Sequence, residues 1–403
     1  MTLREGDVSD RLVVALMGSY PTWSYRRELD LTADTRHVTT SWNLNLARAL
    51  ARRSNLEVHF FTLVAGIPKS RTLTAEAGLQ IHFLAMPRWK KALDLATELR
   101  LSTRLLKGHI DRVSPHIVHG IGTEHPYAHV APKLAYPHVI TVHGVMTRVV
   151  EAMDPPLWSP KRAFARLERA TLRSADHVIA INPYVRTSLP ISDAAGIYDV
   201  ENPIDPLFFA TGMAGRERRG LAFVGMIQPR KGLDILISAL GRARGQTILG
   251  PVHIVGPTVP GHEAYTRDVH RLAAELGITD RLTWHGRREA NEVARLLRSV
   301  RALILPAREE TAPMVIAEAL ASGAAVVATD VGGVRHMVIE GETGFVVHPD
   351  DWKALVGAVH RLDALDPVQV ETRARAEAVR RYHPERVAEQ TEHVYRRVLA
   401  DGT

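Results

Sequence analysis

The chain has 403 residues, no cysteine, 45% hydrophobic and 24% charged residues, and a formal net charge of +7. This composition excludes an intrinsically disordered chain, a disulfide scaffold and cysteine-based zinc or iron–sulfur sites. The length predicts two domains. No apolar run reaches the about 18 residues that span a bilayer, and the acidic start followed by the short run 12–17 does not resemble a secretory signal. We therefore expect a cytoplasmic protein.

Short apolar runs recur along the chain and predict strands that are buried on both faces of parallel sheets. The first half contains the runs 12–17, 58–64, 81–85, 117–120, 139–143 and 177–181, and the second half 221–225, 252–256, 282–286, 302–305, 325–329 and 345–347. Helical patterns lie between them at 42–53, 233–240, 265–276, 289–297, 315–322 and 352–362. This alternation predicts an α/β fold of doubly wound parallel sheets.

The alternation restarts once, which predicts two Rossmann-like domains. Residues 211–219 are mostly polar, contain glycine and have no apolar period, so we predict a linker there. It separates a first domain over 1–210 from a second over 220–383. The ending, 384–403, is predicted to form a final amphipathic helix.

The segment 306–323 places two carboxylates around a predicted helix start. Glu310 falls in the loop after a strand, and Pro313 suits the first helical position. Glu318 then lies in the opening turns of the helix. A helix N-terminus binds anions, so the two carboxylates predict hydroxyl groups on either side of a phosphate. Alternatively, Glu318 only stabilises the helix dipole.

A second segment predicts a phosphate-binding loop. After the strand that ends at Gly225, two adjacent cations, Arg230 and Lys231, lead into a helix. Glycine lets a backbone approach a ligand, and two cations could hold a diphosphate. A solvated basic loop is the alternative. Neither a dinucleotide-binding G-x-G-x-x-G after the first strand nor a P-loop is present, which disfavours nicotinamide enzymes and P-loop NTPases.

Together these motifs resemble the retaining nucleotide-sugar glycosyltransferases of the GT-B fold, family 4 of the sequence classification. The second half carries G-x5-K-G at 225–232, E-x7-E at 310–318 and glycine-containing segments at 326–333 and 341–345. The first half carries matching segments at 114–119, 140–144, 175–180 and 202–205. The resemblance covers about residues 11–400.

The resemblance implies two Rossmann-like domains that face each other across a cleft. The first domain would bind the acceptor, a carbohydrate, lipid-linked or small molecule. The second would bind a nucleotide-diphosphate sugar as donor, and the final helix would pack back on the first domain. No cofactor or metal would be required, and no nucleic acid is expected as a partner. The chain would act in carbohydrate biosynthesis.

The resemblance also implies roles for individual residues. His143 and Glu310 would lie near the reacting carbon, with Glu310 holding sugar hydroxyls, and Glu318 would bind the ribose. Cations would bind the diphosphate, and glycines and helix N–H groups would contact sugar and phosphates. The donor-binding residues would be Gly225, Arg230, Lys231, Pro313, Met314, Val315, Glu318, Gly332 and Gly333.

Three positions depart from the family pattern. Met226 stands where the family usually has Arg, and His336 where it usually has Glu. The family's glycine-rich loop before the first long helix is replaced by 37–42. We expect the acceptor side of the site to be formed there, by His37, Thr40, Ser41 and Trp42.

The sequence also leaves room for different functions. A GT-B hydrolase, epimerase or phosphorylase is one, and a non-catalytic subunit that still binds a ligand is another. His125 and His129 have the i,i+4 spacing of metal ligands, although satisfied strand-end histidines are favoured. The basic segment 88–91 precedes an apolar helical stretch, which predicts either peripheral membrane contact or a core-facing helix.

Overall fold

The computed structural model describes residues 11–31, 40–87, 90–153, 155–189, 195–210, 218–243 and 250–402. The chain forms two compact units. Unit 1 comprises Met1–Pro203 together with Pro384–Thr403, and unit 2 comprises Ile204–His383. The division falls after Pro203, so the predicted linker 211–219 belongs to unit 2, and its residues 211–217 lie outside the described residues.

Unit 1 is built on a mostly parallel sheet. Its elements up to Pro203 are β1 (Leu12–Met17), α1 (Ser41–Ala51), β2 (Leu56–Ala65), β3 (Arg71–Thr74), β4 (Gln80–Met86), α2 (Lys90–Ala96), α3 (Arg100–Ile110), β5 (Ile117–Ile121), α4 (Pro126–Val130), β6 (His138–Val142), α5 (Met146–Met153), α6 (Pro160–Arg173), β7 (His177–Ala180), α7 (Pro183–Ser188) and β8 (Gly196–Asp199). The strand order is β3-β4-β2-β1-β5-β6-β7-β8. Among these described strands, only the pairing of β3 with β4 is antiparallel.

Unit 2 repeats the α/β alternation with a smaller sheet. Its elements are β9 (Leu221–Val224), α8 (Leu233–Arg242), β10 (Val252–Val255), α9 (Glu263–Glu275), β11 (Leu282–Gly286), α10 (Ala290–Ser299), β12 (Ala302–Leu305), α11 (Met314–Ala321), β13 (Ala325–Thr329), β14 (Gly344–Val347), α12 (Trp352–Arg361) and α13 (Pro367–Tyr382). The strand order is β11-β10-β9-β12-β13-β14, and every pairing is parallel. Both predicted sheets, and hence the α/β fold class, are confirmed.

The helical stretch predicted after 88–91 is two helices rather than one. α2 ends at Ala96, and α3 begins after Leu99, whose φ of 66° lies in the left-handed region. The buried carboxylate of Asp94 accepts hydrogen bonds from Leu101 N at 2.8 Å and Ser102 N at 3.1 Å. Asp94 therefore caps the second helix from within the first, which stabilises the break.

The chain returns to unit 1 in its last helix, α14 (Pro384–Asp401), which packs against α1. The Glu392 carboxylate accepts hydrogen bonds from Arg53 and, at 2.6 Å, from Asn55. Where the chain leaves and re-enters unit 1, the two ends of unit 2 adjoin, because Ile204 N donates to the Tyr382 carbonyl at 3.1 Å. Among the described residues, no helix is both long and apolar enough to cross a membrane.

Candidate active site

The carboxyl ends of β9 and β12 bring Lys231, predicted to bind the donor, together with Glu310, predicted to lie near the reacting carbon. The Lys231 ammonium donates a hydrogen bond to Oε1 of Glu310, and the two residues are only 9% and 8% exposed. Arg230 lies on the other side of this carboxylate, with Nη1 3.4 Å from Oε2. Two cations therefore share one carboxylate, which leaves a local excess of positive charge where an anion could bind.

Two glycines let the surrounding loops pack directly on this cluster. Gly232 has a φ of 68°, and a Cβ there would lie 1.8 Å from the Pro306 carbonyl oxygen. Gly332 has a φ of 54°, and its Cβ would lie 1.6 Å from the Glu310 carbonyl oxygen. Because only glycine tolerates both the φ and the contact, these two positions fix the loop that carries Glu310. Gly333 N completes the contact by donating to the Thr311 carbonyl at 3.0 Å.

An arginine that the sequence motifs did not single out clamps the same loops. Arg308 donates to both carboxylate oxygens of Asp234, at 2.9 and 2.7 Å, and to Asp350 at 2.9 Å. Its backbone N–H donates to the Arg230 carbonyl at 2.8 Å. Burial alone would raise the pKa of Asp234, but the hydrogen bonds from Arg308 and Tyr265 hold that pKa below its usual range. These contacts of Arg308 hold the loop that carries Arg230 and Lys231 against the loop after β12.

The helix α11 begins at Met314, with Pro313 as its N-cap. The N–H groups of its first turn, including those of Met314 and Val315, have no partner within a helix and can bind an anion. Glu318 lies one turn further along. Burial, aided by the nearby Asp205 carboxylate, raises the pKa of Glu318 to about 7. Within the described residues no hydrogen bond reaches its carboxyl group, so Glu318 is poised to bind hydroxyl groups.

Met226 and His336, the two positions where the donor motifs depart from the family pattern, lie before and after this cluster in the sequence. Gly225 N donates to the Val255 carbonyl at 2.9 Å, and the partly buried Met226 follows it directly. His336 is exposed in the turn after Gly333, and its carbonyl accepts a hydrogen bond from Arg381 at 2.6 Å. Among the described residues, the cation nearest to Glu310 besides Lys231 is Arg230.

In unit 1, two residues predicted to lie near the acceptor or the reacting carbon are in contact. Trp42 Nε1 donates to His143 Nδ1 at 3.2 Å, and the two rings meet edge to face at 74°. His143 directly follows β6, and the Asn202 side chain also hydrogen-bonds to it. Burial lowers the pKa of His143, so the ring is neutral at pH 7. Since Nδ1 accepts the bond from Trp42, this network assigns the remaining proton to Nε2.

The start of α1 contains two buried polar atoms without a partner among the described residues. Thr40 is the N-cap residue, and no described residue forms a hydrogen bond with its buried hydroxyl. Asn43 donates to the Ser19 carbonyl at 2.7 Å, but its buried Oδ1 likewise has no partner in the described part of the chain. Ser41 is exposed at the helix start, and His37 lies outside the described residues. Buried polar atoms are normally satisfied, so Thr40 and Asn43 indicate a place where a ligand or water binds.

A buried glutamate in α6 holds the loop that follows His143. The Glu168 carboxylate accepts hydrogen bonds from Met146 N at 2.9 Å, Thr147 N at 3.0 Å and the Thr123 hydroxyl at 2.6 Å. The sequence analysis did not identify Glu168. The available signal was its position as the only acidic residue in the basic helix α6.

Of the two histidines proposed as possible metal ligands, His129 is hydrogen-bonded through both ring nitrogens. His129 is buried, with one ring nitrogen 2.8 Å from the Thr171 hydroxyl and the other 2.8 Å from the Thr123 carbonyl. Over the part of the chain that the structure describes, no group of three His, Asp or Glu side chains could hold a metal ion.

Comparison with known families matches both halves of the chain. Residues 213–378 match the family described as glycosyl transferases group 1, and residues 40–205 match the one described as glycosyltransferase family 4. A curated relative from Mycolicibacterium gilvum, D-inositol 3-phosphate glycosyltransferase, is 33% identical over 58% of this chain. That match spans little more than half of the relative, 55% of its length.

Solved structures share the fold over almost the whole chain. Sucrose-phosphate synthase from Thermosynechococcus elongatus has a TM-score of 0.77 and 21% identity, with 97% of this chain and 100% of that chain covered. Anabaena HepE in complex with UDP-glucose has a TM-score of 0.69 and 15% identity, with 96% and 100% covered. At this level of identity the likeness establishes the fold.

The two sheets and their strand orders thus define the GT-B fold. With both family models matched in order along the sequence, the chain belongs to glycosyltransferase family 4.

Proposed function

We propose that this protein is a retaining glycosyltransferase that moves a sugar from a nucleoside-diphosphate sugar to an acceptor hydroxyl. The observation that carries the proposal is the contact of Lys231 and Arg230 with Glu310 at the carboxyl edge of the unit 2 sheet. Open α/β sheets bind ligands at this edge, and a diphosphate requires the cations while a sugar requires the carboxylate.

Donor binding would rearrange this cluster. With the donor absent, Lys231 neutralises Glu310, and the buried pair costs less than either charge alone. A diphosphate would take over Lys231 and Arg230 together with the N–H groups at the start of α11. Glu310 would then be free to accept hydrogen bonds from hydroxyls of the transferred sugar, and Glu318 to bind the ribose.

The reaction would follow front-face displacement. The bond between the anomeric carbon and the β-phosphate oxygen breaks, and the bond from that carbon to the acceptor oxygen forms on the same face. The acceptor hydroxyl proton goes to the departing phosphate. Lys231 and Arg230 stabilise the negative charge that develops on the leaving group, and Glu310 stabilises positive charge on the sugar. No bound metal is required in this scheme.

The acceptor would be bound mainly by unit 1. The neutral His143, fixed by Trp42, would orient hydroxyl groups. The oxygens of Thr40 and Asn43, which have no partner among the described residues, could form further hydrogen bonds. Because the curated relative bears the name D-inositol 3-phosphate glycosyltransferase, that polyol phosphate is the first acceptor to test. UDP-glucose, present in the HepE complex, is the first donor.

Binding of nucleoside diphosphates and nucleotide sugars, measured by thermal shift with and without magnesium, tests the proposal. A ligand at 100 times its Kd should stabilise the protein by about 2.7 kcal/mol. Stabilisation by one base class, equal with and without magnesium, is expected. Absence of any shift would instead support the non-catalytic subunit.

Product analysis separates glycosyl transfer from hydrolysis, epimerisation and phosphorolysis. With donor and acceptor together we expect a glycoside of unchanged anomeric configuration and free nucleoside diphosphate. Rapid release of free sugar without acceptor would identify a hydrolase. Cytoplasmic location and membrane contact through 88–91 stay predictions, and residues 88–89 lie outside the described residues.

A further inference from the structure

The turn between α5 and α6 presents two large apolar side chains to solvent. Trp158 is 87% exposed and Leu157 is 72% exposed, the highest value for an exposed leucine in the described residues. The turn itself is well anchored. Ser159 caps α6 by accepting from Arg162 N at 3.3 Å, and Arg162 Nε donates to the Pro155 carbonyl at 2.6 Å. The apolar tip, Leu157 and Trp158, is therefore held outward by its own backbone.

A row of arginines runs along α6 from this tip. Arg166, Arg169 and Arg173 are all exposed and lie three and four residues apart, so they share one face of the helix. None of the three forms an ion pair with a described residue. We call Arg166, Arg169 and Arg173 the arginine row.

The row differs from the other arginine-rich helices in lacking compensating carboxylates. On α13 and α14, exposed arginines pair with glutamates one turn away, as Arg380 does with Glu377 and Arg386 with Glu389. On α6 the single acidic residue, Glu168, is buried and used by the loop after His143. The positive charge of the row is therefore left for an external partner.

We infer that the apolar tip and the arginine row together form a docking surface for an anionic lipid bilayer. Tryptophan favours the interface between headgroups and acyl chains, and arginine binds lipid phosphates. The exposed Leu157 favours a lipid bilayer over a nucleic acid as the partner. An aliphatic side chain is stabilised in the acyl region of a bilayer but gains nothing from a nucleic acid backbone. This surface consists of residues other than 88–91 and does not depend on the proposed reaction.

The surface is joined to the candidate site of unit 1. Glu168 lies on α6 between Arg166 and Arg169, and its carboxylate binds the backbone three residues beyond His143. A chain bound to a bilayer through α6 would therefore hold His143 close to the lipid surface.

Vesicle co-sedimentation of the full chain tests the inference. We expect binding to vesicles of phosphatidylglycerol and phosphatidylcholine, weakened by salt, and little binding to phosphatidylcholine alone. Reversing the charge of the arginine row with R166E/R169E/R173E should weaken binding to the anionic vesicles about 100-fold, at about 1 kcal/mol per arginine. The tip variant L157A/W158A should weaken it about tenfold. All substituted side chains are exposed, so circular dichroism should show unchanged folding.

A charge-matched variant of unit 2 serves as control. R271E/R373E/R380E reverses three exposed arginines and should leave vesicle binding unchanged. Equal loss in this control would show that net charge alone drives binding and would overturn the inference. So would absence of binding to anionic vesicles. If heparin or RNA binds more tightly than vesicles and the tip variant has no effect, the row binds a soluble polyanion instead.

Discussion

The candidate residues of the two units are held in place by different kinds of interaction. In unit 2, Lys231, Arg230 and Glu310 are charged and bind each other. In unit 1, His143 is neutral and is held by the indole of Trp42 and the amide of Asn202. A charged cluster suits a diphosphate, which every nucleoside-diphosphate sugar carries. A neutral cluster recognises an acceptor by shape and by hydrogen-bond direction, which can vary from one acceptor to another.

The two units also differ in what burial does to their titratable groups. Burial raises the pKa of Glu318 to about 7 and lowers the pKa of His143. Each shift favours the neutral form of its group. At pH 7 His143 is thus neutral and Glu318 is about half protonated, whereas full charges are concentrated in the paired cluster of unit 2, where the phosphates are proposed to bind.

Removing the carboxylate of the charged cluster should have the largest effect. We expect Glu310→Ala to lower kcat by about 100- to 1000-fold, because charge on the transferred sugar is no longer stabilised. Donor affinity should change less, since Lys231 and Arg230 remain. Steady-state kinetics with donor titration measure both. Glu309→Ala, the neighbouring carboxylate, is the matched control, and a larger loss in donor affinity than in kcat would reassign Glu310 to donor binding.

Removing a cation should act on binding instead. Lys231→Ala should weaken nucleoside diphosphate binding about 100-fold by calorimetry, because a desolvated charge contact is lost and Glu310 loses its partner. Combining it with Glu310→Ala should recover part of the folding stability that the single Lys231 variant loses, as expected for a buried pair. Unchanged diphosphate affinity would remove the phosphate role of Lys231.

The neutral cluster is tested through the tautomer of His143. Trp42→Phe keeps the aromatic ring but removes the N–H that donates to His143 Nδ1. We expect about a tenfold fall in turnover and a mixture of His143 tautomers, visible in nitrogen-15 NMR. Trp23→Phe, elsewhere in unit 1, should alter neither. A single unchanged tautomer in Trp42→Phe would show that Asn202 alone orients the ring.

A change in pH should act on folding stability, through Glu318. The folded chain keeps the Glu318 proton up to about pH 7, whereas the unfolded chain releases it near its ordinary value of 4.5. Stability should therefore fall, by up to about 3 kcal/mol, as pH rises from 4.5 to 7, and level off above that. Denaturant unfolding of wild type and Glu318→Gln should show this loss only in the wild type. Glu389→Gln, an exposed glutamate, should behave as wild type.

The strands were predictable where apolar runs end abruptly. β1, β12 and β13 coincide with predicted runs, because buried parallel strands consist almost entirely of apolar residues. β11 also coincides with a predicted run, although it is an edge strand in which only Leu282 is buried. β3 and β8 were not predicted. Both strands have four residues and lie at sheet edges. Two residues of β3 are exposed and two residues of β8 are polar, so neither strand forms a continuous apolar run.

The candidate residues were predictable one by one, but their contacts were not. Motif spacing indicated Lys231, Glu310 and His143. It could not indicate that Lys231 and Glu310 pair, because they follow different strands and meet only through sheet register. Glu168 was missed for a similar reason. Its carboxylate binds backbone N–H groups, which nearly every residue type carries, so the sequence gives no signal for these contacts.

The hydrogen bond between Ile204 N and the Tyr382 carbonyl has a consequence for protein engineering. Unit 2 is a single uninterrupted segment of the chain, and this bond holds its two ends next to each other. The segment is inserted into unit 1, which the chain completes only with α14. Adjacent termini are the arrangement in which domain transplantation and circular permutation succeed. Unit 2 of a relative could therefore replace the segment between Pro203 and Pro384 while unit 1 keeps its own sequence. If unit 2 binds the donor as proposed, the nucleotide-sugar specificity should change with this exchange.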